Sequence, residues 1–203
     1  MTSSPQHWDA AYDSGHETRG WYQASAVLSR VLIRDTGLPH DCAIIDIGGG
    51  ASVLVDDLLA DGYTDITVLD HSPAGLQVAR DRLGDRAADV TWVTADLRTW
   101  TPERTYAVWH DRAVLHFLLA DDDIAAYRAR PLEATGPGSW AVIGIFGPEG
   151  PAVCAGLPVR QYDESDLETL LQPDFEIAQM TFADHVRPDG DVQQFLWALA
   201  QRI

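Results

Sequence analysis

The chain has 203 residues, 46% of them hydrophobic, with 31 acidic and 14 basic side chains and a formal net charge of −17; one domain of that length buries a full core, and so acidic a surface argues against DNA or RNA as a partner. All 14 basic residues are arginine, which removes a lysine Schiff base and the lysine of a Walker phosphate loop. No run of about 18 apolar residues is present to span a membrane. The opening MTSSPQHWDA lacks the basic and apolar regions of a secretory signal, and Cys42 and Cys154 give no disulfide framework, so a cytoplasmic protein with no membrane partner is expected.

In chain order, PQHWDAAYDSG (5–15) and YQASAVLSRVLIRDTG (22–37) read as helices. AIIDI (43–47) is a buried-type strand, and SVLVDDLLADG (52–62) a helix closed by Gly62. DITVLD (65–70) is a second strand. HSPAGLQVARDRLG follows as a helix with Ser72 as N-cap, Pro73 in the first turn and Gly84 past its end. VTWVTAD (90–96) and TYAVWHD (105–111) are the third and fourth strands. ADDDIAAYRARPLEA (120–134) is a helix with acids at its positive end, and SWAVIGIF (139–146) a fifth strand. DESDLETLLQ is one more helix. FEIAQMTFADHV and DVQQFLWALAQ, separated by RPDG, then read as an antiparallel pair. Strand alternating with helix implies right-handed βαβ units and a parallel sheet. The expected fold is therefore α/β, with a mixed sheet and a C-terminal hairpin, and no linker divides the chain.

Three signals fall at successive strand ends, where open parallel sheets bind ligands. Gly48, Gly49 and Gly50 follow the first strand and allow close approach to the backbone. The register ends on Val53, so the G-x-G-x-x-G dinucleotide fingerprint is incomplete. Asp70 ends the second strand, where a carboxylate can accept from both ribose hydroxyls of an adenosine. Asp96 and Leu97 follow the third strand, where a carboxylate and a backbone N–H suit an adenine edge.

With these residues in order, the chain resembles the class I S-adenosylmethionine-dependent methyltransferases. IIDIGGGAS is similar to their first motif, VLDHS to the acid-ended second strand and TADL to the adenine-side motif; the family's third loop glycine is Ser52 here. The resemblance covers roughly residues 40–200. It implies a Rossmann-like seven-stranded sheet with helices on both faces, S-adenosyl-L-methionine as cofactor, and cofactor contacts at Asp46, Gly48, Gly49, Gly50, Asp70, His71, Asp96 and Leu97. HWDAAY and GWYQ resemble the lid segments of small bacterial methyltransferases and of some protein-lysine methyltransferases. That resemblance implies a helical lid over residues 1–40, in which Trp8, Tyr12, Trp21 and Tyr22 help close the site, on a methyltransferase domain over 41–203.

The acceptor is expected beside the fourth and fifth strand ends. His110 and Asp111 are the candidates for deprotonating or placing a nucleophile, with His110 also a cofactor contact. His116 reads as a packing histidine among Leu115, Phe117 and Leu118. Cys154 reads as a loop thiol, and Asp184–His185 as able to reach the same pocket. No metal-ligand spacing such as H-E-x-x-H occurs, and no metal is expected. Transfer to a small-molecule nucleophile is the leading reading. The alternatives are protein-lysine methylation, an NAD-linked oxidoreductase, and a non-catalytic module that binds an adenosine ligand.

Overall fold

The five apolar runs become parallel strands: β1 (Ala43–Ile47), β2 (Asp65–Asp70), β3 (Val90–Thr94), β4 (Tyr106–Arg112) and β5 (Thr135–Phe146). The structure is a computed structural model that describes residues 4–13 and 15–203; residues 1–3 and Ser14, parts of the expected N-terminal segment, lie outside the described residues. Two short strands, β6 (Val153–Cys154) and β7 (Leu157–Pro158), pair in the loop after β5. The long strands β8 (Phe175–Val186) and β9 (Val192–Arg202) form the expected hairpin. β9 runs antiparallel to β5, giving one seven-stranded sheet in the order β3-β2-β1-β4-β5-β9-β8. The chain builds outward from β1 to β3, then returns to build β4 and β5 on the other side. The switch point thus lies between β1 and β4, where side chains after these strands diverge around a crevice.

Six α-helices stand among the described residues: α1 (Pro5–Asp13), α2 (Val27–Asp35), α3 (Leu54–Ala60), α4 (Pro73–Leu83), α5 (Asp121–Ala134) and α6 (Glu164–Leu171). Alternation along β1 divides the core. Ile45 and Ile47 pack with Tyr127 of α5 and with Leu167 and Leu170 of α6. Ile44 packs on the other face with Leu32 and Ile33 of α2, Leu54 of α3 and Leu76 of α4. Helices therefore cover both faces, as expected. Among the described residues no helix is long and apolar enough to cross a membrane.

Local signals act as read. The Ser72 hydroxyl accepts from Gly75 N at 3.0 Å with Pro73 behind it, and Gly62 and Gly84 both hold positive φ past their helices. Two boundaries differ. α2 starts at Val27 rather than Tyr22, because Ala26 N and Ser25 Oγ donate to the Asp57 carboxylate at 2.8 and 2.9 Å and pull the preceding segment out of helical register. β5 starts at Thr135, not Ser139, where its first residue pairs with Tyr106 ahead of a register shift. Both differences come from tertiary partners that local periodicity does not encode.

Candidate active site

A cavity of about 160 Å³ opens at the switch point, lined by the loops after β1, β2, β3 and β4 and roofed by the N-terminal segment. Gly48 and Gly49 lie on its wall. Gly48 holds φ +65°, and a Cβ there would sit 2.1 Å from Val114 Cγ2. A Cβ on Gly49 would sit 2.5 Å from both Asp46 Oδ2 and Val68 Cγ1. The two glycine N–H groups on the wall are committed: Gly48 N and Gly49 N donate to the Leu69 carbonyl at 2.7 and 3.2 Å. A phosphate would need such donors free. Gly49→Ala is expected to cost about 1–3 kcal/mol by overpacking two buried neighbours and to lower ligand affinity together with the melting temperature; calorimetry beside a thermal melt checks both. Gly50 stands apart from its two neighbours. It lies beneath Tyr12, whose hydroxyl would be 2.2 Å from a Cβ there, so its smallness serves lid docking.

Asp70 is 7% exposed and lines the cavity. Oδ1 accepts from Ser72 N at 2.7 Å. Burial pushes its pKa up to about 7, opposed by hydrogen bonds from Ser72 and Gly50 and reinforced by nearby Asp46. His71 follows on the same wall, and burial lowers its pKa, so its ring is neutral at pH 7. Asp96 and Leu97 line the next stretch. Arg98 fixes the Asp96 carboxylate through Nε at 2.9 Å and Nη2 at 2.5 Å, and is itself tied to Asp123 of α5 at 3.1 Å. That pairing lowers the pKa of Asp96.

Strand alternation separates the two residues expected to act together in catalysis. His110 lies opposite Asp46 across the β1–β4 pair, on the α2 face. Its Nδ1–H donates to Asp46 Oδ1 at 2.7 Å; with the proton there, Nε2 accepts from Ser29 Oγ at 2.9 Å. His110 is 2% exposed and Ser29 is 1% exposed. Both ring nitrogens are thus paired, and His110, which also lines the cavity, holds Asp46. Asp46 Oδ2 is buried and has no partner. Asp111 points to the opposite face, fully buried and away from the cavity. Its oxygens accept from Val114 N at 3.0 Å and Leu115 N at 3.2 Å. These two bonds shape the turn after β4.

The lid residues do converge. Trp8, Tyr12, Trp21 and Tyr22 all line the cavity. Trp8 makes edge contacts with Trp21 at 5.7 Å and Phe117 at 5.1 Å, and a tilted contact with His71 at 6.3 Å. α1 is moored by Asp9, which accepts from Ser72 Oγ at 2.6 Å. Gly75 carries no Cβ, and one there would strike the Tyr12 ring at 2.6 Å.

Other expectations resolve by contact. His116 packs on Phe146, ring centroids 4.2 Å apart, with a pKa lowered to about 3 by burial and Arg112. His185 faces the lid rather than the cavity: its Nε2–H donates to the Gly20 carbonyl at 2.8 Å. Cys154 lines the cavity, and burial pushes its thiol up to about 11. Cys42 is also raised. Neither thiol is therefore expected to react with iodoacetamide at pH 8 at the rate of the same chain in urea; equal rates would contradict this environment. Sequence reasoning missed His16, Ser52 and the structural weight of Arg112, all of which line the cavity. Only the nearness of His16 to GWYQ hinted at it.

A doubly wound sheet ending in an antiparallel hairpin, with an acid-flanked glycine turn under an aromatic lid, defines a methyltransferase-class architecture. Residues 44–138 match the family model described as a methyltransferase domain, and the fold is that of S-adenosylmethionine-dependent methyltransferases of solved structure. Among solved structures, Burkholderia thailandensis 1,6-didemethyltoxoflavin-N1-methyltransferase, with bound 1,6-didemethyltoxoflavin and S-adenosylhomocysteine, superposes with a TM-score of 0.76 at 21% identity. It covers 98% of this chain and 86% of that one. The glycopeptide N-methyltransferase MtfA complexed with sinefungin gives a TM-score of 0.69 at 15% identity, over 91% of this chain and 96% of the other. A human protein, EEF1A lysine methyltransferase 2, is 27% identical over 84 residues. That match spans 36% of this chain and 35% of the human protein, about a third of each.

Proposed function

We propose that the protein transfers the methyl group of S-adenosylmethionine to a small-molecule nucleophile, through a single domain (41–203) under an N-terminal lid (1–40). The observation that carries this is the cavity itself: acidic groups along β1 and β2, a glycine turn whose Gly48 and Gly49 N–H groups are taken by Leu69, and an aromatic roof. These residues fit the donor. Asp70 suits the ribose hydroxyls, with Asp96, Leu97 and the neutral His71 ring at the adenine. The unpartnered Asp46 Oδ2, braced by His110, suits the ammonium of the methionine moiety. Trp21, Tyr22, Trp8 and Tyr12 supply apolar and π faces that favour a sulfonium and exclude water.

When bound, the donor supplies a sulfonium methyl, whose S–CH3 bond breaks with the electron pair kept on sulfur while a new bond forms to the acceptor. The chain's work is then to align the two partners and keep water out. With His110 and Asp111 committed elsewhere, an acceptor that is already nucleophilic suits the site. A cytoplasmic location is supported by two free thiols, Cys42 and Cys154. A net charge of −17 supports a partner other than nucleic acid. Protein-lysine transfer is the second reading, supported by the similarity to EEF1A lysine methyltransferase 2.

The protein is expected to bind S-adenosylhomocysteine and to bind NAD at least a hundredfold more weakly, because the Gly48 and Gly49 N–H groups that would meet a pyrophosphate are already bonded to Leu69. Side-by-side calorimetry tests this, and tighter NAD binding would overturn the methyltransferase reading. A transfer screen across thiols, amines, oxyanions and lysine peptides separates the two acceptor classes.

A further inference from the structure

Arg112, the last residue of β4, lines the cavity and makes no ion pair with a carboxylate among the described residues. This is notable in a chain with 31 acidic residues, where Arg82, Arg98 and Arg104 each hold one. One of its nitrogens, Nη1, donates to the Trp21 carbonyl at 3.0 Å. The guanidinium lies over the Phe195 ring, 4.9 Å from its centroid. These two contacts fix the plane of the group. The remaining nitrogens, Nε and Nη2, are buried and have no hydrogen-bond partner.

Nε–H and Nη2–H lie on one edge of a guanidinium and point the same way. That edge presents two parallel donors, the arrangement that matches both oxygens of a carboxylate. Leaving it empty is costly, since a buried cation without a counter-ion has lost its water and gained nothing in return. Burial lowers its pKa to about 10, which still leaves it charged at neutral pH. Asp46 is the acid that faces it, and Asp46 is already bound to His110. A second cation lies nearby. Arg187 acts on Cys154 and His185 together with Arg112, and its Nε is likewise buried without a partner, although its other nitrogens pair with Asp189 and Asp191.

Resting on the methyltransferase reading, we propose that Arg112 receives an oxyanion of the carboxylate class carried by the methyl acceptor. Its contacts assign that anion to the acceptor rather than to the donor's own carboxylate: the guanidinium leans over Phe195 of β9, which lies beyond β5 on the side of β4 away from β1 and Asp46. β1 separates β4 from β2, so Arg112 stands two strand spacings, about 10 Å, from the wall of Asp70. It stands one spacing further from the segment after β3 that holds Asp96. Its own neighbours are Phe195 of β9 and Cys154 of the loop after β5.

The test is calorimetry on the full chain saturated with S-adenosylhomocysteine, titrated with benzoate and with its uncharged counterpart benzamide. Benzoate is expected to bind at least tenfold more tightly than benzamide. That preference should vanish in Arg112→Met and persist in part in Arg112→Lys, while S-adenosylhomocysteine affinity stays within about fivefold in both. Equal binding of the two probes, binding of neither, or a preference that survives Arg112→Met would overturn the assignment. So would a tenfold loss of S-adenosylhomocysteine affinity in Arg112→Met with 5′-methylthioadenosine affinity unchanged, because the anion served would then be the donor's. If Arg112→Met does not fold, the parent and Arg112→Lys decide the matter. Failure of the parent to bind S-adenosylhomocysteine at all is a separate result that strikes the methyltransferase reading itself.

Discussion

Asp70→Asn is expected to lose at least tenfold in S-adenosylhomocysteine affinity while melting at a higher temperature than the parent. The two effects share one cause. The Asp70 carboxyl is buried, and its pKa stands at about 7 in the folded chain against about 3.9 when unfolded. Between those values the folded chain binds more protons than the unfolded one. Stability therefore falls as pH rises across that window, and the full penalty, on the order of a few kcal/mol, is present above about pH 7. An amide at this position removes the penalty. It also removes the ionised acceptor for two ribose hydroxyls, each worth about 1.5–3 kcal/mol as a charge-assisted bond before compensation. The same ionisation predicts that the parent's affinity weakens as pH falls below about 7, because the carboxyl must give up its proton to accept both hydroxyls. Calorimetry from pH 5.5 to 8.5, beside melting curves of parent and variant, reads all three effects. An Asp70→Asn protein with parental affinity would remove Asp70 from the donor site.

His110→Ala is expected to be the most destabilising single change at the site. It strips the Nδ1–H from Asp46 Oδ1 in a carboxylate whose other oxygen already has no partner. It also leaves Ser29 Oγ buried without its ring acceptor. Removing the donor of a buried carboxylate's charge-assisted hydrogen bond costs about 1.5–3 kcal/mol, or roughly 3–12 °C in melting temperature for a chain of this size. Its functional signature distinguishes positioning from base catalysis. A positioning residue lost this way should lower S-adenosylhomocysteine affinity, since Asp46 is no longer held. A lost base would lower turnover at saturating donor with that affinity unchanged, and this second pattern would restore His110 to the chemistry. Ser29→Ala, which leaves the Asp46 contact in place, should show the same effects more weakly.

The amino-acid sequence by itself determined the order of strands and helices, the parallel sheet with its terminal hairpin, and the glycine turn and acids at three successive strand ends. Those signals are local: apolar periodicity, a Ser-Pro helix start, glycines with positive φ past helix ends, and carboxylates where strands stop. Tertiary structure decided what those residues do. His110 and Asp111 are adjacent in sequence, and the period of two along β4 sends them to opposite faces, one to Asp46 and Ser29, the other to the turn at Val114. Gly50 looked like a third loop glycine, and the Tyr12 ring packed against it makes it a docking surface for the lid. Arg112 read as one more charge in HDR until Trp21, Phe195 and the cavity came together around it from distant parts of the chain. Local spacing carries the backbone pattern, but a side chain's partners come from strands and loops up to 165 residues away, and only folding sets which donors and acceptors are satisfied and which are left facing the ligand.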